Sequence, residues 1–179
     1  IEDCVQHGKD ITAGGARYNF SGVQGIGIAN LSDSLYALKG MVFDQQRLSF
    51  DQLMAVLKAN FQTPEGKKIR ARLINRFDKY GNDIDDVDNI SADLLRFYCK
   101  EVEQYLNPRG GHFTPGSYTV SAHVPLGSVV GATPDGRLAG EQLADGGLSP
   151  MVGQDSQGPT AVLKSVSKLD NYLLSNGTL

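Results

Sequence analysis

With 179 residues, 40% of them hydrophobic and 21% charged, the chain has the make-up of one globular domain with enough apolar side chains to bury a core. A net charge of -3, with Lys and Arg scattered along the chain, supplies no basic field for a polyanion and excludes nucleic acid as an expected partner. No apolar run nears the roughly 20 residues that span a bilayer and no signal-peptide layout is present, so no membrane partner and a cytoplasmic location are expected.

Taken in chain order, the elements begin with a short run from Ile1 to Gly8, followed by a polar, Gly-rich stretch from Asp10 to Gly27. A helix is predicted over about 30–45, where Leu31, Leu35, Leu38, Val42 and Phe43 recur at helical spacing. Ser49 is read as the N-cap of a second helix with Leu53, Val56, Leu57 and Phe61 facing inward. Thr63 and Pro64 give a start signal, cap then proline, for a third helix carrying Ile69, Leu73, Ile74 and Phe77 and ending near Tyr80 and Gly81. The longest helix is predicted from Asp86 to Leu106, its stripe made by Val87, Ile90, Leu94, Tyr98, Val102 and Tyr105. The composition shifts near 107–111, dividing a mainly helical 1–107 from a strand and loop region over 108–179. In the second part, Ser117 to Val124 alternates and is rich in β-formers, as a strand would be. Residues 129–155 read as ordered irregular backbone with at most one short strand, 160–169 as a last helix, and Tyr172 to Leu174 as the start of another strand. Ile1 in place of an initiator Met, and an end at Thr178 and Leu179 that enters an element, are read as the cut ends of a longer chain.

Several motifs have a structural reading that accounts for them. Gly22, Gly25 and Gly27 precede a helix, but without a buried strand before them or an acidic residue at the right distance, close backbone packing is favoured over nucleotide binding. Asp83, Asp85, Asp86 and Asp88 lack the central glycine and closing glutamate of a calcium loop, and suit a helix dipole and its free N–H groups. His7, His112 and His123 share no metal-ligand spacing. Cys4, beside His7, has no third orienting group and reads as a structural thiol, as does Cys99; with no CxxC, neither a disulfide framework nor a zinc site is indicated. His123 continues the predicted strand, where a side chain facing a cavity would serve as hydrogen-bond donor or general acid. Arg137, after the turn residues Pro134, Asp135 and Gly136, is placed to bridge a carboxylate such as Asp145, a pair that reads equally as structural or catalytic.

Six ordered blocks carry a resemblance. Gly-Gly-Ala-Arg-Tyr-Asn-Phe at 14–20, Tyr-Gly-Asn-Asp at 80–83, Val-Pro-Leu-Gly at 124–127, Ala-Thr-Pro-Asp-Gly-Arg at 132–137, Leu-Ala-Asp-Gly-Gly at 143–147 and Gly-Pro-Thr-Ala-Val-Leu-Lys-Ser-Val-Ser-Lys-Leu-Asp at 158–170 resemble the pyruvate formate-lyase-like glycyl radical enzymes over essentially the whole chain. The resemblance implies an α/β fold, a fragment of a ten-stranded barrel wrapped by helices. It implies radical chemistry in which a backbone glycyl radical takes hydrogen from a cysteine in a Gly-Cys-x-Glu loop, and a water-excluding barrel that positions the substrate. Neither Gly-Cys-x-Glu nor Arg-Val-x-Gly occurs in these residues, and Gln6 stands where Cys4 would need a glutamate. The chain therefore looks like the stretch between the two motifs, with the C-terminal glycyl radical domain absent, no catalytic residue of its own and no turnover alone.

The resemblance further implies that 114–123 faces the barrel interior, with Tyr118 the residue expected to touch substrate, joined by Thr114 and Val120. Alternation would put Tyr118, Val120 and Ala122 on one face; a tyrosine in an ordinary strand core is the open alternative. By overall likeness a lyase cleaving C–N or C–O bonds of a small hydroxylated substrate is implied, choline trimethylamine-lyase first and glycerol or diol dehydratase second, with formate C-acetyltransferase or a non-catalytic stand-alone module as alternatives. No metal or dissociable cofactor is expected. The partners implied are an S-adenosylmethionine-dependent iron-sulfur activating enzyme and a second copy in a homodimer, and some relatives reside in bacterial microcompartments.

Overall fold

Ser21–Gln24 (β1) and Phe113–Gly116 (β2) lie side by side as parallel strands in the computed structural model, which describes residues 1–178. Ser21 is opposite Phe113 and Gln24 opposite Gly116. Parallel partners need a long crossover, and here it is nearly all of the helical region. Before β1 come a one-turn helix, α1 (Cys4–His7), and a 3₁₀ turn, Ile11–Ala13. Between the strands run α2 (Ile28–Leu38), α3 (Phe50–Lys58), α4 (Pro64–Asn75) and α5 (Asp85–Val102). After β2 follow α6 (His123–Val129) and α7 (Pro159–Ser167).

The helix starts form as the local chemistry requires. Ser49 accepts the Gln52 N–H while the Gln52 side chain accepts the Ser49 N–H, closing a capping box on α3. Thr63 accepts the Gly66 N–H ahead of Pro64 on α4. α2 continues into a π-helical turn, Lys39–Asp44, in which the Gly40 Cα lies against the Phe77 ring so closely that a Cβ would collide with it.

Two apolar clusters share α2. Its first turn, through Ala29, joins Tyr80, Val87, Leu95, Cys99, Leu148, Leu169 and Leu174. Its last turn, through Ala37, and Met41 beyond it pack with Leu53, Phe61, Ile69, Leu73 and Phe77. Leu73 is fully buried in that second cluster. Leu73→Ala is expected to cost about 3 kcal/mol in guanidinium unfolding, the lost transfer energy plus the cavity left behind. Leu163→Ala, at a site 70% exposed, serves as the control and stays within about 0.5 kcal/mol of the parent.

Four sequence expectations are corrected. The helix predicted to reach Tyr80 stops at Asn75, whose side chain bonds the Ala71 carbonyl, while the Tyr80 N–H is taken by the Asp33 carboxylate. The polar, Gly-rich stretch 10–27, to which no strand was assigned, contains β1. Tyr172 to Leu174 is no strand: Asn171–Leu173 is a 3₁₀ turn. Above all, the strand read over 117–124 lies upstream as β2, and 123–129 is helical. Among the described residues only Ser117 extends the sheet, by a parallel bridge to Thr178. Among the described residues no helix is long and apolar enough to cross a membrane.

Candidate active-site wall

In parallel sheets the crevice that takes a ligand lies beyond the carboxyl ends of the strands, which here are Gln24 and Gly116 side by side. The chain leaving this end is held tightly. The Ser117 N–H donates to the Gly177 carbonyl at 2.9 Å and its hydroxyl to the Gly25 carbonyl at 3.1 Å. The Tyr118 N–H donates to Oε1 of Gln24 at 3.2 Å. Thr119, 3% exposed, accepts the Gly146 N–H on its hydroxyl at 3.0 Å. From α5 the Tyr98 hydroxyl reaches the Val23 carbonyl at 2.7 Å, and burial pushes that phenol up to about 12.

Val120 then turns the backbone. Its φ of 53° is in the left-handed region, which a β-branched residue occupies only under strain, and the residue is 81% exposed. The Thr119 carbonyl accepts the Ala122 N–H at 2.8 Å, and α6 follows.

Of the three residues expected to meet substrate, Thr114 is inside β2 opposite Gly22, half-buried, with its hydroxyl 3.4 Å from the Ser21 carbonyl. Tyr118 is half-buried where the chain leaves the sheet. Val120 stands on the turn. The alternation that put Tyr118, Val120 and Ala122 on one face does not hold, because the left-handed Val120 breaks the two-residue period. His123 opens α6 and does not continue a strand. Its carbonyl accepts the Leu143 N–H at 3.1 Å, and its buried Nδ1 has no hydrogen-bond partner among the described residues. The Arg137–Asp145 bridge is not formed: Arg137, 3% exposed, donates to the carbonyls of Val130, Gly131 and Glu141, while Asp145 is exposed. Gln24 and Thr119 were missed because β1 was not recognised and Thr119 was placed on the far face of a strand.

An apolar groove of about 380 Å³ begins at the same strand end, lined by Gly25, Ile28, Leu31, Leu94, Phe97 and Tyr98. A Cβ on Gly25 would stand 3.1 Å from the Tyr98 ring, the close packing expected of this glycine. Behind the wall lies a polar knot. Asn30 donates to Asp135 at 2.8 Å and accepts the Ala144 N–H at 2.7 Å, and Lys79 donates to the Asp135 carbonyl at 3.0 Å. No group of three or more His, Cys, Asp or Glu side chains arranged to hold a metal ion occurs among the described residues. Cys99 is buried in the core, and burial pushes its thiol up to about 11, as befits an unreactive thiol.

This arrangement of strands and blocks has known counterparts. The chain is 50% identical to the glycerol-bound B12-independent glycerol dehydratase from Clostridium butyricum, with a TM-score of 0.92 over 100% of this chain and 22% of that one. It is 45% identical, at a TM-score of 0.94 over 100% of this chain and 23% of that one, to a structure describing 1,2-propanediol dehydration in Roseburia inulinivorans. Among curated proteins it is 44% identical to the probable dehydratase YbiW of Escherichia coli K12, over 100% of this chain and 23% of that protein. The chain thus spans less than a quarter of the length of these relatives. The family model described as pyruvate formate lyase-like matches residues 1–127, so the strand pair and the entrance to the wall fall within that match, and the chain belongs to the pyruvate formate lyase-like family.

Proposed function

We propose that these residues form one wall of the substrate cavity of a glycyl radical dehydratase, a C–O lyase acting on a small vicinal diol. The observation that carries the reading is the 50% identity and shared backbone, over the entire chain, with a glycerol dehydratase. From sequence, choline trimethylamine-lyase stood first. The preference moves to dehydration because the relatives at 44% to 50% identity carry dehydratase names or describe dehydration.

In this reading the radical is generated and stored on loops outside these residues, installed by an S-adenosylmethionine-dependent iron-sulfur activating enzyme, in a cytoplasmic homodimer without a dissociable cofactor. Hydrogen is abstracted from a hydroxyl-bearing carbon, the neighbouring C–O bond breaks, and the hydroxyl leaves with a proton as water. Return of the hydrogen atom gives an aldehyde. The residues of this chain bind and orient. Tyr118 offers an apolar ring and one hydroxyl that both donates and accepts, suited to one end of a diol. Thr114 and Val120 shape its surroundings, and the strand scaffold excludes water.

The test is to incubate activated full-length protein separately with glycerol, propane-1,2-diol, choline, and pyruvate plus coenzyme A. Aldehyde from a diol is the expected product, and residues 1–179 alone give none. Trimethylamine from choline, or acetyl-coenzyme A from pyruvate, would overturn the dehydratase reading. Tyr118→Phe is expected to lower kcat/KM for the diol about tenfold, the worth of one hydrogen bond to substrate.

A further inference from the structure

We infer that the loop 143–147 is a clamp that sets the position of the wall, and that Thr119 is the positioning residue through which it acts. The inference rests on the wall reading above and names a residue that touches no substrate. Tyr118, just past the sheet, is held among the described residues by its N–H to Gln24. The residues either side of it, Ser117 and Thr119, are both gripped by the same loop.

The loop meets Ser117 through Gly147, whose Cα packs against the Ser117 carbonyl so closely that a Cβ would collide with backbone. It meets Thr119 through the Gly146 N–H, donated to the hydroxyl. Both glycines hold positive φ, 56° and 63°, a backbone that side chains rarely adopt. The other end of the loop is anchored: the Ala144 N–H is accepted by Asn30, 4% exposed, which also holds Asp135. A continuous set of bonds therefore runs from α2 through the loop to the residues flanking Tyr118. A binding group has to be held within about 0.5 Å of its productive position, so a loop with its own anchor is a suitable device for setting the distance from Tyr118 to the substrate.

Thr119→Val keeps the shape and removes the acceptor. In activated full-length protein, Thr119→Val is expected to raise KM for the diol about fivefold to tenfold, with kcat changed less than twofold. Thr119→Ser, which restores the hydroxyl, returns KM to the parent value, a rescue that loss of packing alone would not give. Tyr118→Phe runs beside them. If Tyr118→Phe raises KM and Thr119→Val does not, the clamp is wrong and the wall stands; if Tyr118→Phe has no effect, the wall reading itself fails. Should Thr119→Val not fold, hydrogen exchange in the unmodified full-length protein decides: amides of 143–147 slow on addition of the diol if the loop carries the wall, and unchanged exchange overturns the clamp.

Discussion

Lys168→Met is expected to lower the stability of the protein by about 3 kcal/mol, because it strands a buried carboxylate. Asp88, on the first turn of α5, is fully buried. One oxygen accepts the Ser165 hydroxyl at 2.9 Å and the Lys168 ammonium at 2.8 Å; the other has no partner among the described residues. Lys168 lies at the edge, its side chain 24% exposed, and also meets Asp83 at 2.9 Å and Asp85 at 2.7 Å. Desolvation pulls its pKa down, but the hydrogen bonds to Asp85, Asp88 and Asp83 hold it above the ordinary lysine value. A raised lysine pKa contributes stability that is lost only as pH climbs past its unfolded value, so the contribution is constant across neutral pH. The outer contacts, partly exposed at Asp83 and exposed at Asp85, are screened and worth little; the loss comes from Asp88. Guanidinium unfolding at pH 7 measures it. Asp88→Asn in the Lys168→Met background removes the stranded charge and is expected to recover at least half of the loss. A double variant no better than the single would sink the account.

The same pair shows what could be read in the sequence. Local spacing assigns the acidic run at 83–88 to the helix dipole, and that covers exposed Asp85 and Asp86. Asp88 binds across 80 residues to the lysine just past α7, and no local pattern carries such a pairing. Helices α2 to α5 were legible because their signals are local: the Ser49 box, Thr63 before Pro64, and apolar residues at helical spacing, although the buried face of α5 runs through Val87, Leu95 and Cys99 while the predicted Ile90, Leu94 and Tyr98 are half-buried and Tyr105 is exposed. β1 was not legible. Four residues containing only one apolar side chain, Val23, give no period, and the strand exists through its partner 92 positions on. The shape of the candidate wall was not legible. Resemblance pointed to 114–123 and to Tyr118, but the alternation of 117–124 belongs to a strained turn at Val120 followed by a helix. Arg137 differs in kind: its buried guanidinium took backbone carbonyls within seven residues instead of the exposed carboxylate of Asp145 eight residues on.

The second large effect lies in the polar knot behind the wall. Asp33, 1% exposed on α2, accepts the Tyr80 N–H on Oδ1 at 2.8 Å, while Oδ2 has no partner among the described residues. It borders a cavity of about 220 Å³ that is also lined by Arg70 of α4, Lys79, and Asp135, Arg137 and Glu141 of the loop 130–141. Burial pushes the Asp33 carboxyl up to about 7; Lys79 and the Tyr80 N–H pull against this, and Asp135 and Asp88 add to it. Its unfolded value is 3.8, so between pH 3.8 and pH 7 the folded state binds the proton and the unfolded state does not. The contribution is therefore fully present below pH 3.8 and lost as pH rises through 7, a change on the order of 4 kcal/mol. The acid side also protonates Asp83, whose bonds to Lys168 and Lys164 hold its pKa low and whose stabilising effect falls as pH falls. For that reason the quantity to measure is the difference between the parent and Asp33→Asn, in which Asp83 cancels. The substituted amide keeps an acceptor for the Tyr80 N–H and loses the charge. Urea unfolding from pH 4 to pH 7 is expected to show the parent gaining on Asp33→Asn as pH falls, with Asp33→Asn the more stable of the two at pH 7. Above pH 7 the comparison stops being clean, because burial also lowers the Lys79 pKa and the Asp33 charge is one of the groups raising it. Parallel curves between pH 4 and pH 7 would mean that Asp33 is ionised throughout, its free oxygen served by the ammonium of Lys79 across the cavity.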